Sequence, residues 1–278
     1  MKSIFRYSII TFCLSLFLIF FACKSDKRHL GAGIKKYTKG DYAGSIEEYT
    51  KAIEDKPDYW EAYYNRGLSK FKLKNYSASI DDFKKALDLN PDNVNVYSYI
   101  GLNNLSLKKF DKALEAFNKA IDLNPKNPEF RMNRGVIFRE LKKYDEALND
   151  FDILIKLDSF KSDGYSYRGN IYNLMNKYSD AINDFNKGIS LNPSDTIILN
   201  NRGFALMKVK EYDKAINDFN SSMKISPNNS STYHYRAMTY IEKKDIPNAC
   251  SDLKKALDLG FTATFGNEAE TLYKKHCK

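Results

Sequence analysis

Small and apolar residues recur three and four positions apart in two runs within residues 60–93. The runs cover residues 62–73 and 78–89, and the polar pair Lys74 and Asn75 separates them. This spacing places the recurring side chains on one face of an α-helix. Residues 60–93 are therefore predicted to form two amphipathic helices joined by a short turn.

The same pattern returns along the chain with a period of 34 residues. If residue 60 is position 1, glycine recurs at position 8, phenylalanine at position 24 and proline at position 32. The recurring residues are Gly67, Gly101, Gly135, Gly169 and Gly203; Phe83, Phe117, Phe151, Phe185 and Phe219; and Pro57, Pro91, Pro125, Pro193 and Pro227. A fixed period of this length is typical of proteins built from stacked helix pairs.

With small residues at positions 8, 20 and 27, aromatic residues at positions 17 and 24 and proline at position 32, the repeat resembles the tetratricopeptide repeat (TPR). The resemblance covers about nine tenths of the chain. It implies an all-α fold, a right-handed superhelical solenoid of helix-turn-helix repeats closed by a C-terminal capping helix. The expected repeats are a degenerate one at 26–59, six more at 60–93, 94–127, 128–161, 162–195, 196–229 and 230–263, and the capping helix at 264–278.

The first 22 residues differ from the repeats. Lys2 and Arg6 precede an apolar run at residues 7–21, which is followed by Ala22 and Cys23. The run is short for a membrane-spanning helix and has the layout of an export signal.

A small residue followed by cysteine resembles the cleavage motif of bacterial lipoproteins, although Phe20 and Phe21 depart from its usual residues. Cleavage of residues 1–22 would leave a lipidated Cys23 and a short linker at 23–25. The alternative is an uncleaved anchor in the inner membrane. Either arrangement predicts an extracytoplasmic protein of the cell envelope, held at the outer or inner membrane and facing the periplasm.

Arginine at position 7 and aspartate at position 23 occur together in five repeats, and both are absent from the third, which has Ile100 and Ala116. The joint loss predicts that each arginine pairs with the aspartate of its own repeat, as a structural ion pair. The predicted pairs are Arg66 with Asp82, Arg134 with Asp150, Arg168 with Asp184, Arg202 with Asp218, and Arg236 with Asp252. The alternative is a row of arginines that binds anions.

Two cysteines remain after Cys13 and Cys23 are assigned to the N-terminal segment. Cys250 lies near the start of the last repeat's second helix and Cys277 near the end of the capping helix. If these helices run antiparallel about a turn near Ala263, with Asn267 as the N-cap of the second helix, Cys250 and Cys277 lie beside each other. An oxidising periplasm then favours a disulfide. The alternative is two free thiols.

The sequence does not favour an enzyme. The three histidines, His29, His234 and His276, lie in different parts of the array, so they form no cluster with metal-ligand spacing. The sequence has no nucleophile elbow and no phosphate-binding glycine loop. We therefore expect no catalytic residue, metal, cofactor or small-molecule substrate. The net charge of +9 falls to +7 once Lys2 and Arg6 are cleaved, and the lysines are spread over all repeats. A nucleic-acid partner is not expected outside the cytoplasm, and the charge is interpreted as a solvated face, with attraction to anionic lipid or to an acidic protein as the alternative.

A binding groove is predicted from the family resemblance, which implies that the first helix of each repeat lines a concave surface. Position 6 alternates between asparagine and tyrosine, which can hydrogen-bond the main chain of an extended peptide. Positions 9 and 12 supply apolar sockets near both ends. The predicted groove residues are Asn65, Leu68, Phe71, Tyr99, Leu102, Leu105, Asn133, Tyr167, Asn201, Phe204, Met207 and Tyr235. The alternative is that these side chains only pack on neighbouring first helices.

These features favour a non-enzymatic scaffold or adaptor that binds partner proteins or peptide segments in the groove. No set of lysine, asparagine and arginine matches the carboxylate clamp of TPR domains that bind acidic chain ends. The expected ligand is therefore an extended or helical segment with apolar anchors. The alternative function is a regulatory or substrate-presenting subunit of a cell-wall or secretion machine, and an enzyme is the third class.

Overall fold

The computed structural model describes residues 27–159 and 161–277. The predicted signal at 1–22, Cys23 and the linker lie outside the described residues. Within those residues the secondary structure consists of sixteen α-helices and no strand, which confirms the predicted all-α class. No helix in the described ranges has the length and apolar character needed to span a bilayer.

The helices alternate between first and second members of a pair. In chain order they are α1 (27–38), α2 (Tyr42–Asp55), α3 (Trp60–Lys72), α4 (Tyr76–Leu89), α5 (Val94–Ser106), α6 (Phe110–Leu123), α7 (Pro128–Glu140), α8 (Tyr144–Leu157), α9 (Ser162–Leu174), α10 (Tyr178–Leu191), α11 (Thr196–Lys208), α12 (Tyr212–Ile225), α13 (Ser230–Glu242), α14 (Ile246–Asp258), α15 (Phe261–Phe265) and α16 (Glu268–His276).

The chain divides into two compact units, Met1–Ile137 and Phe138–Lys278, and the division falls within α7. In the first unit α3 packs on α4 and α5 on α6, and each pair contacts the next one through α4 and α5. In the second unit α9 packs on α10, α11 on α12 and α13 on α14. Helix α11 also contacts both α9 and α13. Each unit is thus a stack of helix pairs in which first helices touch first helices.

The glycine at position 8 is required because an aromatic ring of the same repeat lies directly on it. A Cβ atom at Gly169 would lie 2.7 Å from Cε1 of Phe185, and one at Gly203 would lie 2.7 Å from Cε1 of Phe219. Such distances are shorter than van der Waals contact, so alanine would force the ring to move. The ring at position 24 therefore fixes how closely the two helices of a pair approach.

The turn inside each pair has the same geometry in six repeats. Position 15 adopts a positive φ, and the following backbone N–H reaches five residues back, as in the 2.9 Å bond that Asn75 donates to the carbonyl of Lys70. This is a Schellman ending of the first helix. The residues with positive φ are Lys74, Lys108, Lys142, Asn176, Lys210 and Lys244, and the first repeat uses Gly40 instead.

The second helices end in an extended residue just before position 32. Asn90, which precedes Pro91, has φ −143° and ψ 81°, and proline disfavours the helical conformation in the residue before it. Asp158 adopts φ −149° and ψ 86° although Ser159 follows it. The helix therefore ends at this position without proline as well.

The C-terminal region differs from the prediction in two details. The expected turn near Ala263 is wrong, because Ala263 lies inside the short helix α15, which runs between Gly260 (φ 79°) and Gly266 (φ 90°). Asn267 precedes α16, but its side chain makes no capping hydrogen bond. Helix α16 packs against α14 and buries Ala269 completely.

Candidate peptide-binding face

The predicted groove residues lie on the first helices, and we call the surface that they form within each unit the first-helix face of that unit. In the first unit it includes an aromatic cluster on α3 and α5. The ring of Tyr99 lies 5.8 Å from Phe71 and 6.1 Å from Tyr64, both edge-on, and stacks on Phe83 at 5.6 Å. Tyr64, Phe71 and Tyr99 are all half-buried.

The tyrosines at position 6 share one packing role. Each stacks on the phenylalanine of the preceding repeat, with centroid distances of 5.6 Å for Tyr99, 5.3 Å for Tyr167 and 6.3 Å for Tyr235. Burial raises the pKa of Tyr167 and of Tyr235. The hydroxyls of the three tyrosines make no hydrogen bond to any residue that the structure describes. Each ring is therefore held in place by stacking, while its hydroxyl group has no partner among the described residues.

The asparagines at position 6 differ from one another. Asn65 donates from Nδ2 to the carbonyl of Glu61 in its own helix, at 2.8 Å. The side chains of Asn133 and Asn201 are half-buried and make no hydrogen bond within the described ranges. The amides of Asn133 and Asn201 are therefore the two in this row that are available to a ligand.

The predicted apolar sockets are only partly accessible. Leu68, Leu102, Leu105 and Phe204 are half-buried. Met207 is 5% exposed and packs in a core cluster with Leu206, Ala215 and Phe219, so its assignment to the groove surface is corrected. Met207 therefore packs against its neighbours, as the alternative interpretation predicted. The first helices of the second unit have less accessible apolar surface than expected.

Four of the predicted ion pairs are present in the structure. Arg66, Arg168, Arg202 and Arg236 each donate two hydrogen bonds, from Nε and Nη2, to the aspartate of the same repeat, over 2.6–2.9 Å. The aspartates are buried, and bidentate charge-assisted bonds of this kind are strong and directional. Arg134 and Asp150 belong to different units, and their pairing stays a prediction.

Sequence reasoning missed a second partner residue of these arginines. Nη1 donates to position 25 of the preceding repeat, as in Arg168 to Asp152 at 2.7 Å and Arg202 to Asn186 at 2.8 Å. The two aspartates raise the pKa of Arg168. The sequence held a usable pattern, because position 25 is an acceptor before every arginine and is a lysine, Lys84, only before Ile100. The arginine thus links two repeats, which makes the row structural.

The capping region is joined by a disulfide between Cys250 and Cys277, with an S–S distance of 2.04 Å. It lies beside a core cluster that includes Leu253, Phe261 and Ala269. The ring of His234 is 2% exposed and stacks on Phe261 at 4.3 Å. Burial lowers the pKa of His234, and the exposed carboxylate of Glu268, 3.5 Å away, opposes this only weakly.

The parts of the chain that the structure describes contain no group of three or more histidine, cysteine, aspartate or glutamate side chains that could hold a metal ion. The first-helix face offers amides, tyrosine hydroxyls and apolar side chains. These groups can hydrogen-bond and bury a peptide, which is a binding chemistry.

Sequence profiles of the tetratricopeptide repeat match most of the chain. Profiles described as "Tetratricopeptide repeat" match residues 60–93, 162–195, 100–162 and 197–229, and one described as "TPR repeat" matches residues 35–74. The chain belongs to the tetratricopeptide repeat family. As a member of this family it is a protein–protein interaction scaffold, and its fold is of a kind that is typically not enzymatic.

Solved TPR structures share the fold. A tetratricopeptide repeat protein from Parabacteroides merdae superposes with a TM-score of 0.73 at 19% identity, over 92% of this chain and 100% of that one. Yeast Tom70 gives 0.60 at 23% identity, over 91% and 53%. YrrB, described as a TPR protein with an unusual peptide-binding site, gives 0.53 at 20% identity, over 68% and 97%. A search of curated proteins found no match to this TPR sequence.

Proposed function

We propose that this TPR protein is a scaffold of the bacterial cell envelope that binds a partner segment on its first-helix face. The observation that carries the proposal is the set of fixed aromatic rings with unsatisfied polar ends. Tyr99 is held between Phe71, Tyr64 and Phe83, while its hydroxyl has no partner in the described structure. A rigid ring with an available hydroxyl loses little conformational entropy when a ligand binds.

The ligand that fits this face is an extended or helical segment with apolar anchors. Leu68, Leu102 and Leu105 provide half-buried aliphatic surface beside the aromatic cluster. The unpaired amide of Asn133 can bond the ligand main chain without selecting a particular sequence. The peptide-binding site described for YrrB, a protein of the same fold, supports the use of such repeats for peptide ligands.

Partner binding can be tested by photo-crosslinking in cells. A benzoylphenylalanine at Leu102 is expected to capture a partner, whereas the same group at exposed Lys156 is not. Capture should fall about tenfold when Asn133→Ala is combined with Leu68→Ala, because both a hydrogen bond and an apolar anchor are removed. The matched control is Asn65→Ala, whose amide already bonds its own helix. Undiminished capture by the folded double variant would exclude the first-helix face.

The tether rests on the N-terminal sequence, in which the apolar run ends at Ala22 and Cys23. A diacylated cysteine supplies two chains, which is what stable membrane attachment by lipid requires. Cells grown with labelled palmitate are expected to incorporate the label into this protein, and Cys23→Ala is expected to abolish it. Cys13→Ala serves as the control and should keep the label. Equal labelling of both variants would overturn the lipid anchor, and unlabelled protein that stays in the membrane fraction would favour the uncleaved anchor.

A further inference from the structure

A cleft of about 460 Å³ opens in the third repeat between the second helices α4 and α6, with α5 beneath them. Its volume lies within the range of small ligand pockets. Ile80, Leu87 and Ile100 contribute apolar surface to it. Its rim carries four lysines, Lys84, Lys109, Lys112 and Lys119. The cleft lies wholly within the first unit and involves a different set of side chains from the first-helix face.

The third repeat lacks the ion pair that occupies the corresponding place in the sixth repeat. The corresponding positions of the sixth repeat enclose a smaller space of about 310 Å³, which is lined by Arg202 and its partner Asp218. In the third repeat these two positions hold Ile100 and Ala116, which have no charge and less reach. The acceptor at position 25 is replaced as well, by Lys84. All three members of the polar link are therefore missing together.

Two further side chains change the lining of the cleft. In the second, fifth and seventh repeats the guanidinium covers the tyrosine at position 4, as Arg66 does over the ring of Tyr63 at 5.5 Å. Tyr97 has no such cover and lines the cleft. Asn104, which is 4% exposed, also lines it and donates from Nδ2 to the carbonyl of Ile100 at 2.9 Å. The floor thus combines aliphatic surface, an uncovered aromatic ring and a buried amide.

The charge of the rim is unbalanced. Four lysines face two carboxylates, Asp81 and Glu115, which leaves a formal charge of +2. None of these four lysines takes part in an ion pair with any residue in the described part of the chain. Where other repeats bury an aspartate, the third repeat therefore has an apolar surface surrounded by lysines that form no ion pair with any described residue. Such a combination attracts a ligand that is acidic at its edges and apolar at its centre.

We infer that this cleft is a second binding site, which takes an acidic segment of a partner protein through an apolar side chain flanked by carboxylates. The apolar side chain covers Ile80, Ile100 and Tyr97, and the flanking carboxylates pair with the lysines of the rim. The site goes beyond the proposed function, because it selects acidic segments, whereas the predicted groove residues of the first-helix face are themselves uncharged amides, tyrosines and apolar side chains. A scaffold with both sites holds two different segments at once.

The probe for the test is the hexapeptide Glu-Glu-Leu-Phe-Glu-Glu, carrying a neutral dye. Binding to the full chain, held in a phosphatidylcholine nanodisc, is measured by fluorescence anisotropy. Peptides in which lysine replaces every glutamate, or serine replaces the leucine and phenylalanine, are expected to bind at least tenfold more weakly. Carbodiimide coupling joins carboxylates to neighbouring lysines, and mass spectrometry is expected to find the peptide on Lys84 and Lys112.

The decisive variant combines Ile100→Arg, Ala116→Asp and Lys84→Asn. It rebuilds the link found in the sixth repeat, so it is expected to fold and to bind the acidic peptide at least tenfold more weakly. The charge-matched control is Lys156→Gln, on an exposed lysine of the second unit, which changes the net charge by the same single unit and should change binding less than twofold.

Three results would overturn the second site. They are full binding by the rebuilt variant, equal binding of the lysine or serine peptide, and coupling spread over lysines outside the rim. Binding of phosphatidylglycerol vesicles that depends on Lys84 and Ile100, without peptide binding, would assign the cleft to lipid instead. The first-helix face is unaffected by these substitutions, so photo-crosslinking at Leu102 still reports on the proposed function separately.

Discussion

Loss of the disulfide is expected to loosen the capping helix much more than the rest of the chain. Cys250 lies in α14 and Cys277 follows α16, at a sequence separation of 27. Closing a loop of this length removes chain entropy from the open state, worth about 3.5 kcal/mol in the entropy model. Among the described residues of α16 only Ala269 is fully buried, and Leu272 and Tyr273 pack half-buried against the core cluster of the cap, so packing alone holds the helix less firmly than packing together with the bridge.

The effect should be local because repeat proteins are stabilised by contacts between neighbouring elements and open from their ends. Hydrogen exchange followed by mass spectrometry measures this opening segment by segment. After reduction, or in Cys250→Ala with Cys277→Ala, amides of α16 are expected to exchange up to about 300-fold faster, which corresponds to about 3.5 kcal/mol. Helix α2 is the internal control and should exchange at an unchanged rate.

Equal exchange of α16 in the oxidised and reduced protein would refute this reasoning, because the cap would then be held by packing alone. Alkylation gives an independent check of the starting state. Non-reduced protein with two modifiable thiols in addition to any at the N-terminal segment would show that the bridge is absent in solution.

The remaining predictions concern packing, the helix-ending turn and pH. Gly169→Ala is expected to destabilise the protein by about 1–3 kcal/mol in urea unfolding, because the new methyl group meets the ring of Phe185 at 2.7 Å. Gly31→Ala is its control: no atom lies within 4 Å, so it should stabilise the helix by about 0.5–1 kcal/mol. Lys142→Gly is expected to raise stability by about 0.5–1 kcal/mol, because φ is +58° there and glycine tolerates that conformation. Stability of the second unit should fall below about pH 6.5, since burial lowers the pKa of His234 and the unfolded chain then binds the proton more readily.

Each of these predictions has an outcome that contradicts it. A neutral Gly169→Ala would mean that the ring moves without cost, and a destabilising Lys142→Gly would mean that its side chain contributes more than the backbone strain costs. For the pH effect the comparison is His234→Phe, which cannot be protonated. If that variant loses stability over the same acid range as the natural chain, His234 is not the group responsible.

The sequence by itself determined the helices and how they pair. Its period of 34 residues, with glycine and phenylalanine at fixed places, is sufficient because a repeat contacts mainly its own partner helix and the next repeat. The same logic extended to side chains: the joint absence of arginine and aspartate at Ile100 and Ala116 identified which charges pair within a repeat. Both inferences concern contacts within one repeat or between neighbouring repeats. Because these contacts recur in several repeats, the pattern in one repeat can be checked against the same positions in the others.

The tertiary structure decided what does not recur. Whether Met207 is surface or core depends on α12, which packs on α11, and the pattern of α11 alone does not show it. Whether a side-chain amide is free depends on local geometry, which directs the amide of Asn65 to its own helix and leaves the amide of Asn201 without a hydrogen bond to any described residue. Helix α15 spans the end of the seventh repeat, where the periodicity no longer applies. The cleft at Ile100 likewise arises where three replaced side chains from three helices come together, and only the packed structure brings them to one place.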